Sequence, residues 1–183
     1  MTIRPATVAD AAAVSAIYAP YVADTSITFE LVPPTATQMR DRIATALMAH
    51  DWLVLEDETE GWEGTEGGGP RVVGYACAGE FRSRAAYRWS CEVSVYLERG
   101  RHRSGAGRSL YEALLPRLAA RGYRQAVAGM TLPNDASLHF HAALGFEPVG
   151  TFRDVGWKHG RWHDVAFAQR ALLVAPDPPA EPH

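Results

Sequence analysis

"VYLERGRHRSGAGRSLYEALL", residues 95–115, is the stretch on which the fold turns. It begins as the end of an apolar strand, passes through Arg99, Arg101, His102, Arg103 and Arg108 around Gly105 and Gly107, and ends in a leucine stripe with helical spacing. A strand that enters a glycine turn and leaves it as a helix gathers free backbone N–H groups at one point, where the helix dipole also favours negative charge. A phosphate suits such a turn. Gly105 and Gly107 allow close backbone approach, and Arg101, Arg103 and Arg108 add charge at the mouth. An ordinary solvated basic turn is the competing reading, and "RSGAGRS" lacks the lysine and the longer glycine spacing of a nucleotide P-loop.

On either side of this stretch lie two further constellations. Upstream, "WSCEVSVYL" reads as a strand in which Glu92 interrupts an apolar run; a carboxylate there is either a salt-bridge partner or a general base with a tunable pKa. Just before it, "EFRSRAAY" brings Arg82, Arg84 and Tyr87 together at a strand end, as an oxyanion site or as a solvated basic edge. Downstream, "QAVAGMTL" reads as a strand and "NDASLHFHAAL" as a short helix ended by Gly145. The spacing of Asn134 and His141 puts both on one helical face, with His139 pointing elsewhere. For His141 alone, a hydrogen-bonded structural histidine and a catalytic one are both open readings.

The remaining elements follow from pattern. "TIR" is a short strand, Thr7 and Asp10 resemble a capping box ahead of a helix carrying Ala13, Ile17 and Tyr21, and a second helix follows Pro33–Pro34 with Met39, Ile43, Ala46 and Leu47 as its stripe. "WLVLE" and "RVVGYACAGEF" are strands joined by an acidic, glycine-rich loop at 58–70. Two more strands surround a turn at Lys158–Gly160, and 175–183 is a proline-rich tail. Pro116 should kink the third helix or turn toward solvent. The fold class is α/β (α+β): one domain spanning 1–174, with a mixed sheet of about seven strands and about four helices.

Composition bounds the function. With 183 residues, 47% hydrophobic and 21% charged, the chain fills one core, and a formal charge of -3 supplies no global basic field for nucleic acid. No apolar run approaches a membrane span, and "MTIRPATVADAAAV" has no signal-peptide core, so a soluble cytoplasmic protein is expected. Cys77 and Cys91 form no disulfide framework or zinc pattern and read as small buried hydrophobes.

Taken together, "SVYLERGRHRSGAGRSLYEALL" and "LPNDASLHFHAALGF" resemble the acetyl-CoA core of the GNAT acetyltransferase superfamily, while "TSITFE", "RSRAAYRWSCEVSVY" and "WKHGRWHDVAF" resemble its phosphinothricin acetyltransferase branch. The resemblance implies that Val95, Tyr96 and Leu97 pair with the pantetheine arm of acetyl-CoA. It puts the pyrophosphate on Arg103, Ser104, Gly105, Ala106, Gly107 and Arg108, and Asn134 against the arm. Glu92 matches the branch's carboxylate base, and His141 stands where many members carry a tyrosine acid. Arg82, Arg84 and Tyr87 match substrate-side positions, with Phe29 at the acceptor pocket. His102 departs from the glutamine or arginine usual in the turn, which leaves backbone binding intact and any side-chain role at that position in doubt.

The reaction so implied is direct acetyl transfer in a ternary complex to the α-amino group of a phosphinothricin-like amino acid. Glu92 takes the amine proton, a backbone N–H near Val95 faces the oxyanion, and His141 either protonates the leaving thiolate or shares the base role. No metal is expected. Methionine sulfoximine or sulfone, a polyamine and a peptide terminus are the other acceptors, and a CoA-binding module without turnover is the reading from a different class. Relatives in the branch are commonly homodimers, and Trp157, Trp162 and Phe167 on the closing hairpin offer apolar surface for a second copy.

Overall fold

The computed structural model describes residues 1–58, 70–101, 104–173 and 181–182. The elements run β1 (Thr2–Pro5), α1 (Ala11–Asp24), α2 (Ala36–Ala49), β2 (Trp52–Asp57), β3 (Arg71–Glu80), β4 (Ser90–Leu97), α3 (Ala106–Ala120), β5 (Gln125–Thr131), α4 (Asp135–Ala143), β6 (Glu147–Lys158) and β7 (Arg161–Ala171). Each strand and helix expected from the pattern is present. His102, Arg103, most of the acidic loop and most of the proline-rich tail lie outside the described residues.

Local chemistry explains where helices start. Thr35 caps α2 by accepting from Gln38 N at 3.2 Å, and Gln38 Oε1 accepts from Thr35 N at 2.8 Å, a reciprocal box just after the two prolines. At α1 the same device, with Thr7 N donating to Asp10 Oδ2 at 2.7 Å, first closes a 3-10 turn over Val8–Asp10. Burial pushes the Asp10 carboxyl up, but the Arg4 guanidinium and the Thr7 amide outweigh it and leave its pKa below the ordinary value. Pro116 stands on the exposed side of an unbroken α3, where the donor it lacks costs least.

The sheet order is β1-β2-β3-β4-β5-β7-β6. Neighbours are antiparallel except β4 and β5, which run parallel. Alternation along β2 sends Leu53 and Leu55 to one face, against Leu110, Leu114 and Leu118 of α3. Trp52 and Val54 go to the other face, against Val14 and Ile17 of α1 and Met39 and Ile43 of α2. The two cores grip the sheet from both sides. β4 pairs with β5 at Ser90↔Gln125, Cys91↔Ala126 and Glu92↔Val127, and there the ladder ends, although β4 continues to Leu97 and β5 to Thr131. The strands part beyond Glu92. Cys77 and Cys91 are free thiols whose pKa burial pushes up to about 12, as small hydrophobes inside a sheet would be. Among the described residues no helix is long and apolar enough to cross a membrane.

Candidate active site

The wedge left by the parting strands holds two adjoining cavities. The wider, of about 550 Å³, runs from Val95, Tyr96 and Leu97 past Asn134 and Phe140 to Gly105, Gly107 and Arg108. Its size lies within the range of ligand pockets, roughly 300–1,000 Å³. The narrower, of about 70 Å³, adjoins it between Val93, Ser94, Tyr111, Gly129, Met130 and His141. Ile27, Val95, Tyr96, Asn134 and Ser137 belong to both walls.

At the outer end, Gly105 is the N-cap of α3 with φ 83°, a left-handed conformation that a side chain would strain. The amides of Gly107 and Arg108 follow in the first helical turn, where the helix supplies no carbonyl. Ser104 Oγ donates to Arg101 O at 2.8 Å, and Ala106 is buried beneath the turn. Arg108 lines the cavity while reaching Glu112 Oε1 at 3.3 Å. Arg101 corrects one expectation: it does not stand at the mouth as spare charge. Its guanidinium bonds Asp57 Oδ2 at 2.7 Å and Glu98 Oε2 at 3.1 Å, because β2 ends beside it. Gly107 packs beside Phe140, whose ring would touch an added Cβ at 3.4 Å. Together, turn amides, an open channel and the β4 edge fit an elongated anionic co-substrate such as acetyl-CoA.

Along the channel, the Leu97 carbonyl accepts from Tyr21 Oη at 2.6 Å, which ties α1 to the β4 edge. Asn134 is the N-cap of α4 and not a residue within it, its Oδ1 accepting from Ser137 N at 3.1 Å. It still shares a cavity wall with His141. His141 is buried among Tyr111, Phe140 and Phe146, and burial lowers its pKa while the Ser137 carbonyl works the other way. Nδ1 lies 2.8 Å from that carbonyl, so in the neutral ring Nδ1 carries the proton and Nε2 offers its lone pair, 3.4 Å from Tyr111 Oη.

Glu92 lies where the ladder ends. Its side chain is exposed, yet the neighbouring protein takes enough water from the carboxyl to raise its pKa, opposed by the charge of Arg82. Gly129 of β5 lies beside it: an added Cβ would meet Glu92 Oε1 at an ordinary 3.5 Å and the Phe167 ring at a tighter 3.3 Å. Arg82 lies 5.0 Å from the Phe81 ring centroid and 5.9 Å from that of Tyr87, with Tyr87 and Arg84 exposed on a short turn. Of these residues, Arg82 is the one whose charge reaches Glu92. Phe29 lies across Gly156 of β6 and 6.1 Å from the His163 ring, while its neighbour Ile27 lines both cavities.

Tyr111, Ile27 and Gly129 were missed from sequence alone. Tyr111 was hidden in the leucine stripe of α3 and Ile27 in an irregular segment. A glycine inside the apolar run "AVAGMTL" was the one signal available, since glycine in a strand marks close approach by another group.

Comparisons with known proteins agree with this geometry. The family described as acetyltransferase (GNAT) domain matches residues 3–167. The chain is 40% identical over 181 residues to a phosphinothricin N-acetyltransferase of Streptomyces viridochromogenes, covering 98% of this chain and 93% of that one. It is 34% identical to an L-methionine sulfoximine/L-methionine sulfone acetyltransferase of Pseudomonas paraeruginosa, covering 93% of this chain and 94% of that one. Among solved structures, a GNAT superfamily phosphinothricin acetyltransferase from Sinorhizobium meliloti in complex with AcCoA superposes with a TM-score of 0.86 at 36% identity, over 100% of this chain and 92% of that one. With that family model over most of its length and such relatives across nearly all of it, the chain belongs to the GNAT family of N-acetyltransferases.

Proposed function

We propose that this enzyme acetylates the α-amino group of a small amino acid of the phosphinothricin or methionine sulfoximine type, using acetyl-CoA in a ternary complex. One observation carries the reading: the β4–β5 ladder stops at Glu92 and the next residues of β4, Val93 to Val95, line the narrower cavity, so a carboxylate of raised pKa, acted on by the charge of Arg82, adjoins the cavity wall. Acetyl-CoA would supply the acyl thioester. Gly105, Gly107 and Arg108 would hold its pyrophosphate and the β4 edge its arm. Glu92, directly or through water, takes a proton from the ammonium group, and its raised pKa brings its basicity nearer to neutral pH. His141, neutral and protonated on Nδ1, is suited to accept a hydrogen bond at Nε2, which favours the shared-base role over that of an acid. Arg82, Arg84 and Tyr87 offer the acceptor's anionic groups charge and a hydroxyl.

The test is thiol release from acetyl-CoA with a panel containing phosphinothricin, methionine sulfoximine, methionine sulfone, spermidine and a short peptide. Turnover of the first three above the last two is expected; the reverse order overturns the substrate class. We further propose a symmetric homodimer in a reducing cytoplasm. Exposed Val149, Phe152, Val155, Trp157 and Trp162 on the β6–β7 hairpin support the dimer, whereas Phe167 is half-buried, its ring edge-on to that of Phe152. The free Cys77 and Cys91 are compatible with a reducing compartment. A monomer mass by light scattering across a dilution series would remove the dimer.

A further inference from the structure

Residues 25–35 have no regular secondary structure, yet Ile27 stands in the walls of both cavities. Its place depends on tertiary bonds, and these arrive from two sides. From α1, the Tyr18 hydroxyl meets Thr28 Oγ1 at 2.6 Å and Glu30 Oε1 at 3.0 Å, and Arg42 of α2 grips Glu30 at 2.7 and 2.9 Å. From the other side comes the end of the β6–β7 hairpin. Lys158 is only 3% exposed, and its Nζ donates to the carbonyls of Val22 at 2.7 Å and Thr28 at 2.8 Å. His163 Nε2 in turn donates to the Lys158 carbonyl at 3.0 Å. Phe29 lies flat enough on Gly156 that an added Cβ would stand 2.2 Å from its ring, so the hairpin and the segment fit only with glycine there.

A buried lysine is rare unless its charge is used. Lys158 lines neither cavity and touches no residue of the glycine turn, so its ammonium group serves the segment. Burial lowers its pKa and the Glu30 carboxylate opposes that, in keeping with a cation retained for its bonds. We propose that Lys158 is a positioning residue for the acetyl transfer: by holding the Val22 and Thr28 carbonyls it fixes residues 25–30 as a roof, with Ile27 at the junction of the two cavities. The acceptor then meets the acyl group from one direction. Displacing such a wall by about 1 Å costs up to roughly 10²-fold in rate without any loss of a catalytic group.

The proposal rests on the acetyl-transfer reading for its kinetic arm only. Lys158→Met keeps the length of the stem and removes the three donors. It is compared with Ile27→Ala and the double variant, on whichever acceptor the wild-type enzyme turns over. Lys158→Met is expected to lower kcat/KM for the acceptor by about 10- to 100-fold while the acetyl-CoA Kd by calorimetry moves less than about threefold. The double variant should be no worse than Lys158→Met alone, because the roof is already displaced. Multiplying effects, or acceptor kinetics unchanged in a folded Lys158→Met, overturn the proposal. Amide hydrogen exchange is read in parallel, without any substrate. Faster exchange confined to residues 25–30 is expected, and exchange unchanged there, or raised equally throughout, overturns it. If Lys158→Met does not fold, Tyr18→Phe releases the same segment from the α1 side. The same kinetic split and local exchange are then expected, and their absence overturns the roof through which Lys158 acts. A wild-type enzyme inactive on every acceptor would sink the substrate reading alone and leave the exchange measurement to decide Lys158.

Discussion

The Glu92 carboxyl is drawn up by lost water and down by Arg82, and the balance leaves its folded-state pKa above the ordinary value. A group raised in this way contributes stability while protonated, below its unfolded pKa, and loses that contribution as pH rises through the folded value. At neutral pH Glu92 is therefore a small cost to folding, as expected of a residue with the proposed base role. Glu92→Gln removes the cost and the base together. Turnover should fall by roughly 10²–10⁴, acetyl-CoA Kd should hold within about twofold, and Tm at pH 7 should rise. Retained activity would move the base to His141, and a lowered Tm would contradict the desolvated carboxylate. The acid limb of kcat/KM should also lie above the usual carboxylate range.

Among the elements, the starts of α3 and α4 carry both a capping role and a proposed binding role, and the two can be separated by mutation. Gly105 needs φ 83° with open space where its Cβ would be. Gly105→Ala should thus cost about 1 kcal/mol in backbone strain with modest loss of acetyl-CoA affinity, while Gly105→Asp should add charge repulsion and nearly abolish binding. Equal affinities for the two variants would argue against an anion at this turn. Asn134→Ala removes the cap on Ser137 N and should destabilise the protein by about 1 kcal/mol in chemical denaturation. Asn134→Ser keeps a capping oxygen on a shorter side chain. It should restore most of that stability but not the acetyl-CoA affinity; recovery of both would confine Asn134 to structure.

For the whole molecule, acid is the weak direction. Asp10, paired with Arg4, and Glu30 and Glu98, held chiefly by Arg42 and Arg71, all have folded pKa values below the ordinary carboxylate range. Their contribution is present above the unfolded pKa and is lost as pH falls through the folded one. His141, kept neutral by burial, adds to this slope at higher pH, because the unfolded chain binds its proton first. Tm should therefore decline from near pH 7 downward and steepen below the ordinary carboxylate values. Arg4→Met should flatten the steep part, since it removes the partner that holds Asp10 down; an unchanged slope would assign the acid sensitivity elsewhere.

What could be read from the chain was whatever depends on near neighbours. Period, capping and turn chemistry act over a few residues, so the order of elements, the glycine turn opening α3 and the short helix carrying His141 were all legible in residues 90–145. The placement of charge was not legible, because a side chain's partner depends on which distant segment stands beside it. Arg101 looked like spare charge and is spent on Asp57, 44 residues away, and Lys158 looked like a turn residue and holds the Val22 carbonyl across 136. Pattern marked Glu92 as unusual, but only the tertiary structure decided that β4 and β5 part beside it. The two sides of the sheet pack separately, and the β4–β5 ladder ends at that one carboxylate.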